Sequence, residues 1–311
     1  MLFCLTFCIF FYFGAAKPYF QVKQLSIVTN PIINEVSGLA VSRRFPNILY
    51  VHNDSGDGPF IYAILANTGE VKSKIEITGA IHNDWEDIAY GVCPGEGYCI
   101  YIGDFGGNTA NGSRNVIYRV KEPLHLNESQ NVTIDATITF TWTEIDCEII
   151  MVDPEGEIYL VSKNTGIPGK VVHVPSYAWN NVSKINLTDL ISLSFHTGKP
   201  DPTGGDISPN GTEVVIISID NLYYWHVANR DYLTTLSKDP VNLEYKDEPQ
   251  GEAVGWDPSG SGFYTLSEGV NQTIYYYERV STGPVGCAGK ASLLVIKPFI
   301  VSYIIYFYSY L

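Results

Sequence analysis

Basic residues are scarce in this chain. Its 311 residues hold 19 Lys and Arg against 33 Asp and Glu, a formal charge of −14. No cluster of Lys and Arg offsets that balance. Phosphate backbones would be repelled, so nucleic acid is excluded as a partner, and metal cations or basic ligands are favoured. Helical stripes are missing too: no long segment repeats apolar residues at the helical period, which leaves the strand as the main element. Catalytic signatures are equally absent. There is no Gly-x-Ser-x-Gly elbow, no His-Glu-x-x-His pair and no phosphate loop, and Ser37 and Ser55 carry no sign of activation. The 6 histidines are scattered. His52-Asn53-Asp54 and His82-Asn83-Asp84 repeat a tripeptide, but a transition-metal site needs more convergence than that.

The two ends are apolar. Met1 to Phe13, followed by the small residues Gly14-Ala15-Ala16, reads as a secretory signal over residues 1–16, although a basic leading segment is missing. Eight Asn-x-Ser/Thr sequons follow, at Asn53, Asn111, Asn127, Asn131, Asn181, Asn186, Asn210 and Asn271. Together with the signal they predict an extracellular glycoprotein, with Asn53 the least usable because it lies in a motif. Of the 6 cysteines, Cys4 and Cys8 leave with the signal. Cys93 and Cys99 bracket a turn-rich stretch and predict a disulfide across a hairpin. Cys147 and Cys287 pair with each other, or Cys147 is a buried free thiol. At the other end, residues 286–311 form an apolar tail. Gly286-Cys287-Ala288, a short spacer and Phe299 to Leu311 suit a lipid-anchor signal. A membrane span interrupted by Lys297-Pro298 is the alternative. Membrane attachment through this tail is therefore expected, at the outer cell surface, and the chain is expected to be a monomer.

Between the ends, short runs of Val, Ile, Tyr, Thr and Phe alternate with Gly, Asn, Asp, Pro and Ser, the text of many short strands. An acid-marked phrase recurs: Val36-Ser37-Gly38-Leu39-Ala40, Trp85-Glu86-Asp87-Ile88-Ala89, Asp146-Cys147-Glu148-Ile149-Ile150, Gly204-Gly205-Asp206-Ile207-Ser208 and Gln250-Gly251-Glu252-Ala253-Val254. The central residues are spaced by 49, 61, 58 and 46, a period that marks a propeller or another repeat architecture without the WD-type dipeptide. Turn signatures at Asp153 to Gly156, Ser208 to Gly211 and Asp257 to Gly260 separate the first strand of a unit from the second. The fold expected over residues 17–285 is an all-β, five-bladed β-propeller. A six-bladed ring with one degenerate blade is the alternative. Tyr19 to Thr29 is a spare strand that would complete the last blade and close the ring.

Strands one and two of a blade are antiparallel, so the start of one and the end of the other share a face. The second strands end in His52-Asn53-Asp54-Ser55-Gly56-Asp57, Gly103-Asp104-Phe105-Gly106-Gly107-Asn108, Ser162-Lys163-Asn164, Asp220-Asn221 and Ser267-Glu268-Gly269. One face would thus gather carboxylates and amides around the channel mouth. Carboxylates this close cannot all stay ionised and unpaired. Hard oxygen donors without clustered Cys or His suit calcium first and magnesium second. Asp87, Glu148, Asp206 and Glu252 are the expected metal ligands. His52, Asn53, Asp54, Asp84, Glu86, Asp104, Asn108, Lys163 and Glu268 are expected to line the ligand site, with Glu86, Asp54 and Asp104 as candidate catalytic acids or bases. Asp, Asn and Gly are also ordinary turn residues, and a recurrent acid can simply accept backbone hydrogen bonds. Lys163 is expected to pair with a channel acid rather than an anionic ligand. The tryptophans are expected in the core.

Five of these segments carry a resemblance: Ser37-Gly38-Leu39-Ala40, His52-Asn53-Asp54-Ser55-Gly56, Asp84-Trp85-Glu86-Asp87-Ile88-Ala89, Gly103-Asp104-Phe105-Gly106-Gly107-Asn108 and Gln250-Gly251-Glu252-Ala253. Over residues 33–279 the chain resembles a family of secreted propeller proteins, mainly bacterial with animal members, for which no activity is established. Asp146-Cys147-Glu148 departs from the pattern at Cys147. A looser analogy, at the level of fold, is to calcium-activated nucleotidases, in which Ser37, Glu86, Glu148 and Glu252 would fall at blade starts. The function expected is a ligand-binding module for a small molecule, glycan or protein at an acidic, calcium-binding channel mouth. A metal-dependent hydrolase of phosphate esters, nucleotides or lactones is the alternative.

Overall fold

The computed structural model describes residues 18–95, 97–107, 115–180 and 184–280. The signal, the tail, Cys287, Asn108 and the sequons at Asn111 and Asn181 lie outside the described residues.

The chain is a β-propeller built of antiparallel meanders. The first comprises Val36–Val41, Ile48–Asn53, Phe60–Leu65 and Val71–Thr78, and the second Trp85–Val92, Tyr98–Asp104, Asn115–Lys121 and Ser129–Thr141. Cys147–Val152, Ile158–Ser162, Lys170–Val174 and Ile191–Ser192 form the third. Gly204–Ile207, Glu213–Ser218, Asn221–His226 and Val241–Leu243 form the fourth. The last joins Gly251–Trp256, Gly262–Ser267 and Gln272–Arg279 to the N-terminal strand Phe20–Val28, which pairs antiparallel with Gln272–Arg279. The first strand of the fold therefore completes the last sheet, as the spare run at Tyr19 to Thr29 predicts. Phe20 anchors it, with ring centroids 6.1 Å from Tyr224 and 5.0 Å from Phe263.

The turns do what their residues dictate. Gly156, Gly211 and Gly260 each donate an N–H three residues back, to Asp153, Ser208 and Asp257, at 2.9, 2.8 and 3.0 Å. Their φ values of 85°, 73° and 71° lie in the left-handed region that glycine enters without penalty. Each turn feeds a second strand of β-branched and aromatic residues.

The innermost strands of four meanders are buried along almost their whole length. Each packs on the next, Val36–Val41 on Trp85–Val92 and so on round to Gly251–Trp256, which returns to Val36–Val41. Apolar side chains fill every junction between neighbours, for example Leu39, Leu49, Ala253 and Leu266 between the first and last meanders. At the rim, Val71–Thr78 pairs in parallel with Ser129–Thr141, so the outer edges of the first two meanders cover one another. Cys93 and Cys99 form the hairpin disulfide. Cys147 is buried and has no disulfide partner among the described residues. Among them, no helix is long and apolar enough to cross a membrane.

Candidate functional site

The site begins with a backbone irregularity. In four meanders the inner strand slips register against its partner, between Val36 and Gly38, Trp85 and Asp87, Cys147 and Ile149, and Gly251 and Ala253. The residues in the slips are Ser37, Glu86, Glu148 and Glu252. A bulge leaves one residue unpaired and re-aims its side chain. The pairing thus sets Glu148 and Glu252 level with Glu86, whereas the sequence alignment sets them level with Asp87. That alignment is corrected here by the inserted residue. The fourth meander pairs regularly from Gly204 onward. Ser37 Oγ donates to the Glu86 carbonyl at 2.5 Å, and Thr203 Oγ1 to the Gly251 carbonyl at 2.7 Å, each tying one inner strand to the next.

The four expected metal ligands divide into two kinds. Asp87 accepts the Ile88 N–H on Oδ1 at 2.8 Å and the Ile150 N–H of the neighbouring meander on Oδ2 at 3.0 Å. Asp206 repeats the device, with Ile207 at 2.8 Å and Trp256 of the neighbouring meander at 2.8 Å. Burial pushes the Asp206 carboxyl up to about 7 against the pull of those donors, and burial likewise raises Asp87. These two side chains staple adjacent meanders. Glu148 lies instead with other acids, and Glu252 within electrostatic reach of Asp54 and Glu148.

Two groups of carboxylates converge, and Glu86 belongs to both. Asp54, Asp84 and Glu86 present oxygens within 4.8 Å of one another, as do Glu86, Asp146 and Glu148. Each group can hold a metal ion. Asp54 follows its strand directly, held by an N–H bond to the Glu35 carbonyl at 2.7 Å. Asp84 donates its N–H to Asp104 Oδ1 at 2.9 Å, and its carbonyl accepts from Phe105 and Gly106 at 3.1 and 3.2 Å. Asp146 Oδ1 accepts the Gly107 N–H at 3.0 Å. Gly106 is forced by space: a Cβ there would lie 1.9 Å from Glu86 Oε1 and 2.5 Å from Asp84 Oδ2.

The electrostatics are those of crowded acids. Burial, then Asp84, Glu252, Glu268 and Glu35, push the Asp54 carboxyl up to about 7. Burial, then Glu148, Asp54 and Asp84, raise Glu86 well above the ordinary range. Glu148 is also raised well above it by burial, against the opposing pull of Lys163. Burial and Glu252 bring Glu268 to about 7. Lys163 Nζ lies 2.8 Å from Glu148 Oε1. Burial disfavours its charge, but Glu148, Glu86 and Asp146 more than restore it. Within these two groups, Asp54 Oδ1 and Glu148 Oε2 are buried without a hydrogen-bond partner. Glu252 Oε1 accepts from Gln250 Nε2 at 2.9 Å.

The other expected residues take supporting places. Asn53 is buried, and its side chain bonds Asn34, Glu35, Ile32 and Asp57, which fixes the loop that presents Asp54. His52 is buried with Nδ1 3.0 Å from the Asn53 carbonyl, Nε2 unpartnered, and its pKa lowered to about 4 by burial. Asp104 supports Asp84 from below. A hollow of about 300 Å³ lined in part by Glu35, Asn53 and Ser55 adjoins this loop. Sequence reasoning missed Asp146 and Gly106. Asp146 stands at the edge of its phrase, just before the strand whose bulge falls at Glu148, and only the structure brings it to Glu86.

No family model and no curated protein matches the chain. Among solved structures it is similar to the PQQ-bound aldose sugar dehydrogenase of Streptomyces coelicolor, at 13% identity over 84% of this chain and 98% of that one, TM-score 0.51. It is also similar to the Malassezia sympodialis allergen Mala s 1, at 10% identity over 82% and 96%, TM-score 0.52. At these identities the likeness is one of fold.

Proposed function

We propose that the chain is a secreted or surface-anchored propeller that binds its ligand at the acidic face through a divalent cation, calcium first and magnesium second. The cation sits among Asp54, Asp84 and Glu86. One observation carries this reading: Asp54 Oδ1 is buried without a partner, beside two further carboxylates. Buried like charges must take up protons or a cation, and an all-oxygen donor set suits a hard ion. With the cation in place the mouth offers an electrophilic point to an oxygen-rich ligand, whether small molecule, glycan or protein. Glu252 and Glu268 stand at its edge and disfavour anionic competitors.

Among the described residues, the two acid groups are a poor match for the PQQ of the Streptomyces enzyme. PQQ is a polycarboxylate, the mouth is itself lined with carboxylates, and Lys163 is already held by Glu148. The proposal is tested by calorimetric titration of the chain with calcium and with magnesium. Binding of calcium that Glu86→Gln abolishes, with folding intact by circular dichroism, supports it. Absence of binding for both ions rejects it. A panel of nucleotides, phosphate esters and lactones, assayed with the cation present, separates binding from hydrolysis.

A further inference from the structure

We infer that the mouth takes a second divalent cation, held by Glu86, Asp146 and Glu148 and bridged to the first through Glu86. This rests on the proposed function above and extends it from one ion to a pair. The second group does not depend on acid crowding alone. Glu148 is 2% exposed, and its two oxygens have different fates. Oε1 receives the Lys163 ammonium at 2.8 Å, while Oε2 is buried and has no hydrogen-bond partner. Its carboxylate offers an oxygen within 4.8 Å of oxygens from Asp146 and Glu86. A buried acceptor left bare in this way is costly unless something fills it.

Charge decides for two ions over one. Asp54, Asp84, Glu86, Asp146 and Glu148 with Lys163 carry a formal charge of about −4 when ionised, which one divalent ion halves and two cancel. Lys163 also ranks the sites. Its ammonium lies against Glu148 and acts on Glu86 and Asp146, so it repels an ion entering the second group more than one entering the first. The second ion is therefore the weaker, and removing the lysine strengthens it. Glu86 is the residue that both groups share, and a carboxylate has one oxygen for each ion.

Manganese is a suitable probe, because it shares the oxygen preference and reports its surroundings by electron paramagnetic resonance. The expected titration shows two Mn²⁺ bound per chain in two steps, the second at least about tenfold weaker. The fully loaded protein then gives an exchange-coupled spectrum in place of the six-line signal of an isolated ion. Glu148→Gln weakens the second step and leaves the first. Lys163→Met, which removes a charge without placing a new one, tightens the second step selectively. Near-ultraviolet circular dichroism checks that both variants are folded, and their opposite effects keep the test independent of simple damage. One ion per chain, unchanged by Glu148→Gln, overturns the second site while leaving the proposed function standing. Two ions without exchange coupling overturn the bridge. No manganese bound at all overturns the pair, and the calcium and magnesium titrations then decide the proposed function separately.

Discussion

Replacing Asp87 tests whether the acids of the inner strands are staples or metal ligands. Its carboxylate takes the Ile88 N–H and, across the junction, the Ile150 N–H, at 2.8 and 3.0 Å. The residue is 1% exposed, so water cannot replace either bond. In Asp87→Ala two buried donors lose their acceptor, each costing about 1–3 kcal/mol. The expected loss is about 2–6 kcal/mol, a large share of the roughly 5–15 kcal/mol available to a folded domain. Asp87→Asn keeps one acceptor and turns an amide N–H toward the other donor, so its loss is about 1–3 kcal/mol. Urea unfolding followed by tryptophan fluorescence measures both, and the calcium titration is repeated on the asparagine variant. The account expects lower stability with unchanged calcium affinity per folded molecule. Wild-type stability combined with lost calcium binding would refute it, because the carboxylate would then be holding an ion. Asp206, with its own pair of donors at 2.8 Å, provides an internal replicate.

Three further outcomes are expected. Glu248 is buried between Tyr245 and Thr265, both donating to it, and burial pushes its carboxyl up to about 7. A carboxyl raised in the fold stabilises it fully below the unfolded value near 4.5 and loses that contribution as pH climbs through about 7. Glu248→Gln should therefore stabilise the protein at pH 8, by up to about 3 kcal/mol, and change little at pH 4. Melting curves of both proteins across that range check the sign, and a gain confined to acid pH contradicts it. Gly106→Ala forces a methyl onto Glu86 Oε1; it should cut calcium affinity at least about tenfold for a stability cost of about 1–3 kcal/mol, read by calorimetry and urea unfolding together. The Cys93–Cys99 disulfide closes a short loop, with a sequence separation of 6. Its removal by Cys93→Ser with Cys99→Ser should cost about 2 kcal/mol, and equal unfolding midpoints for the two proteins would count against a stabilising role.

The fold was legible for a physical reason. Each meander is written locally, as β-branched runs between glycine turns such as Asp153 to Gly156, and repetition multiplies a weak signal. The closing strand Phe20–Val28 could be read as the one unassigned β run. The face of the site followed from strand direction alone, since second strands end where Asp54, Asp104 and Lys163 stand. Frame was read in two ways: the phrases level Asp87 with Glu148 and Glu252, whereas the nucleotidase analogy levels Glu86 with them, as the bulges do. Side chains alternate along a strand, so one inserted residue exchanges the faces of Glu86 and Asp87. The insertion falls on Ser37 in the first meander and on the glutamates Glu86, Glu148 and Glu252 in three others, but Asp87 beside Glu86 offers a second acid to align on, so the phrases alone leave the frame open. Hence a ring of Asp87, Glu148, Asp206 and Glu252, drawn from the phrases alone, mixes backbone staples with acids of the mouth. Asp146 was hidden because it acts with Glu86 of the neighbouring meander, and Gly106 because its need for space comes from Asp84 and Glu86 at the far end of its own hairpin.

The most direct test is anomalous diffraction from crystals soaked in manganese. A peak about 2–2.6 Å from oxygens of Glu86, with Asp54 and Asp84 as its neighbours, is the result expected of a hard cation at the mouth. Peaks lying against Asp87 or Asp206 instead, or an acidic face without any peak at saturating metal, would contradict it.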